Sequence, residues 1–131
     1  MEVDNDMRFV CNEGAPEQEL TIFRKVTGLT LPEDYLSFMR RCNGGEGYIG
    51  DEYLMLWRLG ELEKFNREYE VHEYIPDVLL FGSTGGGDAY GFRTILSGSE
   101  VVKVPFIGMS SNLCKRIAGS FTEFLETLER T

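Results

Sequence analysis

One histidine, one tryptophan and three cysteines are all that this 131-residue chain holds of the residue types that most often carry metal sites, nucleophilic catalysis or disulfide frameworks. With His72 as the sole imidazole, a site needing two is excluded, and Cys-His or Ser-His chemistry has only that one residue to use. Cys11, Cys42 and Cys114 are too widely spaced for a metal knuckle, and their odd number argues against a disulfide framework, so they read as reduced thiols. Basic residues are scarce as well. Thirteen against 22 acidic ones leave a net charge of −9, which disfavours direct attraction to nucleic-acid phosphates or acidic lipid. Uncharged stretches such as Val104 to Cys114 fall well short of the roughly 18 apolar residues a membrane helix needs. The opening Met-Glu-Val-Asp-Asn-Asp is acidic where a secretory signal is basic and then apolar, which predicts a cytoplasmic protein. Repeats, low-complexity runs and long linkers are absent, so residues 1–131 are expected to form a single domain, with a polar segment over 1–15 and the folded part over 16–131.

What is present is enough for a core: 42% of the residues are hydrophobic, and a chain of this length buries roughly two-thirds of its unfolded surface. Leu20, Ile22, Phe23 and Val26 recur with helical spacing between Pro16 and Gly28. Thr30 and Glu33 have the spacing of a capping box ahead of a second helix with Tyr35, Leu36, Phe38 and Met39 inward, ending at Asn43-Gly44-Gly45. Residues 48–50 and 53–57 read as a hairpin, the apolar run Tyr-Leu-Met-Leu-Trp predicting a central strand covered on both faces. Helical spacing returns over 59–74, followed by strands at 78–81, 89–95 and 101–106. A last helix starts at Ser120, again with a capping box through Glu123. The order predicts an α+β fold: a mostly antiparallel or mixed sheet with N-terminal helices, a middle helix and a C-terminal helix packed against it.

Three constellations invite a functional reading. The turn from Gly82 to Asp88 is rich enough in glycine to cradle a phosphate, but it lacks the Lys-Ser/Thr pair and following helix of a P-loop, so it reads as a tight inter-strand connection needing positive φ, where Gly86→Ala destabilises the fold if φ is positive at that residue. His72 reads as a surface histidine near a helix end. Acidic residues are the most abundant candidates, with Glu46, Asp51 and Glu52 around the hairpin and Glu61, Glu63, Glu68, Glu70 and Glu73 along the middle helix. They are either a solvated face or a docking surface that steers a basic protein, with Tyr48, Tyr53 or Tyr90 as possible anchors. No catalytic group, metal site or cofactor site is indicated.

A series of short motifs resembles the SUKH superfamily over about residues 16–130. It comprises Leu31-Pro32 opening the second helix, Asn43-Gly44-Gly45 closing it, a Leu-rich strand ending near Trp57, then Gly82 and Gly86-Gly87-Asp88-Ala-Tyr90-Gly-Phe92. Arg93 departs from it, standing where relatives often carry an acidic residue. The resemblance implies a non-enzymatic α+β binding domain. It further implies an immunity protein that binds and neutralises a cognate toxin, often a nuclease or deaminase; together with the acidic charge of residues 46–76, this predicts that Glu46, Tyr48, Asp51, Glu52, Glu61, Glu63, Glu70 and Glu73 contact a basic toxin domain. A cytosolic scaffold that regulates cell-wall or envelope synthesis is the alternative, and a small nucleotide- or phosphoester-acting enzyme a third.

Overall fold

The computed structural model describes residues 8–27 and 31–131. Seven strands form one antiparallel sheet in which each strand lies beside its neighbours in sequence: β1 (Phe9–Cys11), β2 (Gly45–Ile49), β3 (Glu52–Leu56), β4 (Val78–Ser83), β5 (Asp88–Ile95), β6 (Gly98–Pro105) and β7 (Lys115–Ala118). The helices are α1 (Glu17–Thr27), α2 (Glu33–Arg41), α3 (Leu62–Glu68), α4 (Val71–Tyr74) and α5 (Phe121–Glu129). The α+β class expected from the sequence is the observed one. Two strands were not anticipated. Phe9–Cys11 falls inside the supposedly polar start, and Lys115–Ala118 shows too little apolar character to read as a strand.

Side chains alternate across the sheet and so feed two cores of unequal size. On one side Phe9, Leu54, Leu56, Phe81, Tyr90 and Phe92 meet the inward faces of α1, α2 and α5. All four residues expected to face inward on α2 are buried, as are Phe121, Phe124, Leu125 and Leu128 of α5. Aromatic rings fill this side: Tyr35 meets Phe92 and Phe121 edge-on at 5.0 and 5.1 Å, and Phe81 stacks on Phe92 at 4.4 Å. On the other side the core is aliphatic and small, built from Val71 and Ile75 over Val78, Leu80, Ala89, Val102 and Val104.

One carboxylate ties the closed side together. Asp34 accepts from the Tyr35 N–H at 2.9 Å through one oxygen, and from the Thr122 N–H and hydroxyl at 2.9 and 3.0 Å through the other. It therefore serves donors in the first turns of both α2 and α5, where the helix dipoles favour negative charge. Ser120 caps α5 as expected, its hydroxyl accepting from the Glu123 N–H, while the Glu123 carboxylate reaches back to the Gly119 N–H.

Several expectations are corrected. Ile22 is exposed rather than inward. The helix expected over 59–74 is broken: a 3-10 turn at Leu59–Glu61 leads into α3, and Glu70 adopts a left-handed φ of 54° before α4 begins. The break redirects the chain so that Val71 and Ile75 reach β4, which a straight helix carrying Leu62 and Phe65 inward would not allow. Tyr53 and Met55 on the second face of β3 are only half-buried, so that strand is not fully covered on both faces. The reduced-thiol reading fails for two cysteines, because Cys11 and Cys42 form a disulfide with a Cα–Cα distance of 5.2 Å, and Cys114 alone is free. Their spacing of 31 residues carries no local signal; pairing of β1 with β2 brings Cys11 beside the end of α2. Gly28, Thr30 with its capping box, and the side chain of Val26 lie outside the described residues.

Candidate functional site

The second face of the sheet is only partly covered. α3 and α4 lie over β4 to β6, but no helix among the described residues covers the outer face of β1 to β3, which only the glycine-rich turn overlaps at β3. Strand register sets Val10, Glu46, Met55 and Ser83 in one row across four strands, with Tyr48 opposite Tyr53 in the next row. Val10 is 64% exposed and Tyr48 48%. The Tyr53 hydroxyl donates to the Glu46 carboxylate, which raises the Tyr53 pKa, and the Arg8 guanidinium lies over the Tyr48 ring.

β1 can lie close beside β2 because Gly47 has a φ of +147° and no side chain. A Cβ there would stand 1.9 Å from the Arg8 carbonyl oxygen. Asn43, buried at the end of α2, accepts from the Leu59 N–H through its side chain and from the Asn12 amide through its carbonyl, so it fixes the start of the 3-10 turn. Gly44 and Gly45 follow it with the positive φ expected of them.

Beside the open face runs an aromatic groove of about 700 Å³. Trp57 meets Phe65 edge-on at 4.8 Å and stacks on Tyr69 at 6.4 Å, and Tyr69 meets Phe106 at 4.7 Å. Ile107, 92% exposed, stands at its rim. The glycine-rich turn forms the other rim and folds over β3. Gly85, with φ of +82°, is the residue that needs to be glycine, since a Cβ would come within 2.8 Å of the Tyr53 ring. Gly86 has no positive φ, and a Cβ there would meet only the Thr84 hydroxyl at 3.6 Å, so the positive φ expected of the turn falls on Gly85 and the condition set for Gly86 is not met. The Gly85 and Gly86 N–H groups donate to the Ser83 and Thr84 hydroxyls, and the Asp88 carbonyl accepts from the Thr84 N–H. These donors are therefore engaged inside the turn rather than presented to a phosphate, and no lysine or arginine lines the groove.

A second cleft of about 450 Å³ continues the groove towards β1 and shares Met55, Trp57 and Phe65 with it. Glu46 and Glu61 line it, with Arg58 as its basic residue. Arg58 donates to Asn12, and its N–H donates to the Glu61 carboxylate at 3.0 Å.

The structure thus brings together Glu46, Tyr48 and Glu61 from the eight residues expected to meet a partner, and separates the others. Asp51 and Glu52 turn away at the β2–β3 hairpin, where the Asp51 N–H donates to Thr131 beyond the end of α5. Glu63 is engaged by Arg67 one turn on, while Glu70 and Glu73 are exposed around the break before α4. Tyr90 is no anchor: it is 2% exposed in the aromatic core, and burial, helped by Glu52 and Asp88, pushes its phenol pKa up to about 12. Residues not expected at a site include Phe65, Tyr69, Phe106 and Ile107. Their helical or strand spacing looks like ordinary core.

Residues 14–127 match the SMI1 / KNR4 family (SUKH-1). The chain belongs to that family. No curated protein matches the chain at a significant level. The SUKH-1 match begins beyond β1, so Cys11 and the exposed Val10 lie before it while Cys42 lies within it. Leu31 is buried at the start of α2, Pro32 stands at its N-cap, and Gly82 passes so close to β3 that a Cβ would come within 2.5 Å of the Met55 carbonyl oxygen. Arg93, the departure from the pattern, has a structural partner. It donates to Glu100 across the β5–β6 pair at 2.8 Å, and Arg116 of β7 holds the other oxygen of Glu100 at 3.2 Å. Among the described residues no helix is long and apolar enough to cross a membrane, and no group of three or more His, Cys, Asp or Glu could hold a metal ion.

Proposed function

We propose that this SUKH-1 domain is an immunity protein, a non-enzymatic binder that neutralises a cognate protein toxin by occupying its surface. The supporting observation is the open face of β1 to β3: exposed Val10 and Tyr48, the Glu46 carboxylate with Tyr53 donating to it, and the adjoining aromatic groove form a contiguous amphipathic surface that the chain's own helices leave bare. Exposed apolar surface rimmed by polar groups characterises protein-binding sites. The net charge of −9 suits a basic partner, such as an enzyme whose cleft is built for nucleic acid. Inhibition of this kind asks no acid, base or nucleophile of the binder.

The test is co-expression with the toxin domain encoded beside this chain in its genome. Restored growth and a stable complex of the two purified proteins are the expected results. Unimpaired toxicity in the presence of the folded chain, or a neighbourhood without any toxin gene, would overturn the reading.

A further inference from the structure

We infer that the acidic cleft and the aromatic groove are two halves of one docking site for a segment of a second protein in which a basic side chain stands next to a large apolar one. This rests on the immunity reading above and names the surface and chemistry through which it would act. The two hollows are continuous, because Met55, Trp57 and Phe65 line both. One half presents carboxylates from two separate elements, Glu46 of β2 and Glu61 ahead of α3; they accept from the Tyr53 hydroxyl and the Arg58 N–H, and among the described residues neither lies within ion-pair distance of a basic side chain, the guanidinium of Arg58 in the same lining being turned to Asn12. Glu63 pairs with Arg67, Glu17 and Glu33 with Arg40, and Glu100 with two arginines, whereas the cleft's two carboxylates have only uncharged donors. The other half is walled by the Trp57, Phe65, Tyr69 and Phe106 rings, has no lysine or arginine, and keeps Tyr69 44% exposed.

A guanidinium or ammonium group entering the first half gains carboxylate partners and the face of an aromatic ring. Its apolar neighbour then reaches the second half and removes from water the apolar surface that the fold leaves wet. An acidic or purely polar segment gains neither. Of the four rings, Trp57 and Phe106 directly follow β3 and β6, Phe65 is on α3 and Tyr69 closes its end, so each is anchored to a regular element.

Trp57 is the only tryptophan of the chain and lines both halves, so its emission reports occupancy. The probes are a short synthetic peptide alternating arginine with leucine and its counterpart with glutamate in place of arginine. The arginine peptide is expected to shift Trp57 emission in a saturable way and to move the amide resonances of β2, β3 and α3, while the glutamate peptide does neither. Combining Glu46→Gln with Glu61→Gln should weaken the arginine peptide about tenfold without changing the fold. Combining Asp51→Asn with Glu52→Gln, on the far side of the hairpin, should leave it unaffected. Equal response to both peptides, no response up to about 1 mM, or no loss in the Glu46 and Glu61 variant overturns the docking site. Protection from the toxin that survives such a failure keeps the immunity reading and moves its surface elsewhere; peptide binding without protection does the reverse.

Discussion

The two sides of the sheet are made from the same strands yet solve opposite problems. On the side of α1, α2 and α5, aromatic rings interlock and Asp34 bolts two helix starts together, so that nearly every large side chain is dry. On the other side a short aliphatic core under α3 and α4 covers only β4 to β6, and β1 to β3 stay open. Stability concentrated on one side leaves the other free to carry residues chosen for contact, such as Val10 and Tyr48, at little cost to the fold.

The sharpest way to break this comparison is to truncate one residue on each side. Phe121→Ala on the closed side is expected to cost about 3–5 kcal/mol in denaturant unfolding, against about 1–3 kcal/mol for Val104→Ala in the aliphatic core. Equal losses would mean that the two sides share the stability evenly. Next in size is the disulfide, which pins the edge strand of the open side. Cys11→Ser, or reduction of the native chain, should lower stability by about 2–4 kcal/mol and raise hydrogen exchange first at β1 and its β2 partners.

Gly85→Ala, with a left-handed φ and the Tyr53 ring in its way, should lose about 1–2 kcal/mol or more, whereas Gly86→Ala should stay within about 0.5 kcal/mol. Thermal melts of the pair decide whether the turn is anchored to the open face where we place it. The smallest effect concerns Tyr35, whose hydroxyl is buried in the aromatic core without a hydrogen-bond partner and whose pKa burial raises strongly. Tyr35→Phe should raise stability by about 1 kcal/mol. Because Tyr35 and Tyr90 ionise later in the folded chain than the usual value of about 10, the stability they contribute is intact below that pH and is lost as pH rises, for Tyr90 through about 12. Unfolding followed against pH should therefore steepen above about 10, and less so in Tyr35→Phe.

The closed side was legible in the sequence because its signals are periodic and local. Tyr35, Leu36, Phe38 and Met39 mark one stripe of α2, and Ser120 with Glu123 marks the start of α5. The open side was not, because its features arise from approach between distant segments. Three residues of β1 become a strand only against glycines some 35 residues on. Glu70 breaks a helix although it is neither glycine nor proline, and Cys11 finds Cys42 only once β1 has docked. The acidic residues could be picked out one by one, but only strand register and the broken helix decide that Glu46 and Glu61 share a cleft while Asp51 and Glu52 face away.

The strand order has a consequence for how the protein is made. Each strand needs only the one before it, so the sheet can be laid down progressively as the chain leaves the ribosome. The lid of the aromatic core comes last: until residues 121–128 have been synthesised, Phe81, Tyr90 and Phe92 have no Phe121 or Phe124 to meet, and Asp34 has no Thr122 to hold. Translation that stalls before α5 would leave a sticky, nearly complete sheet, the state in which nascent chains call on chaperones.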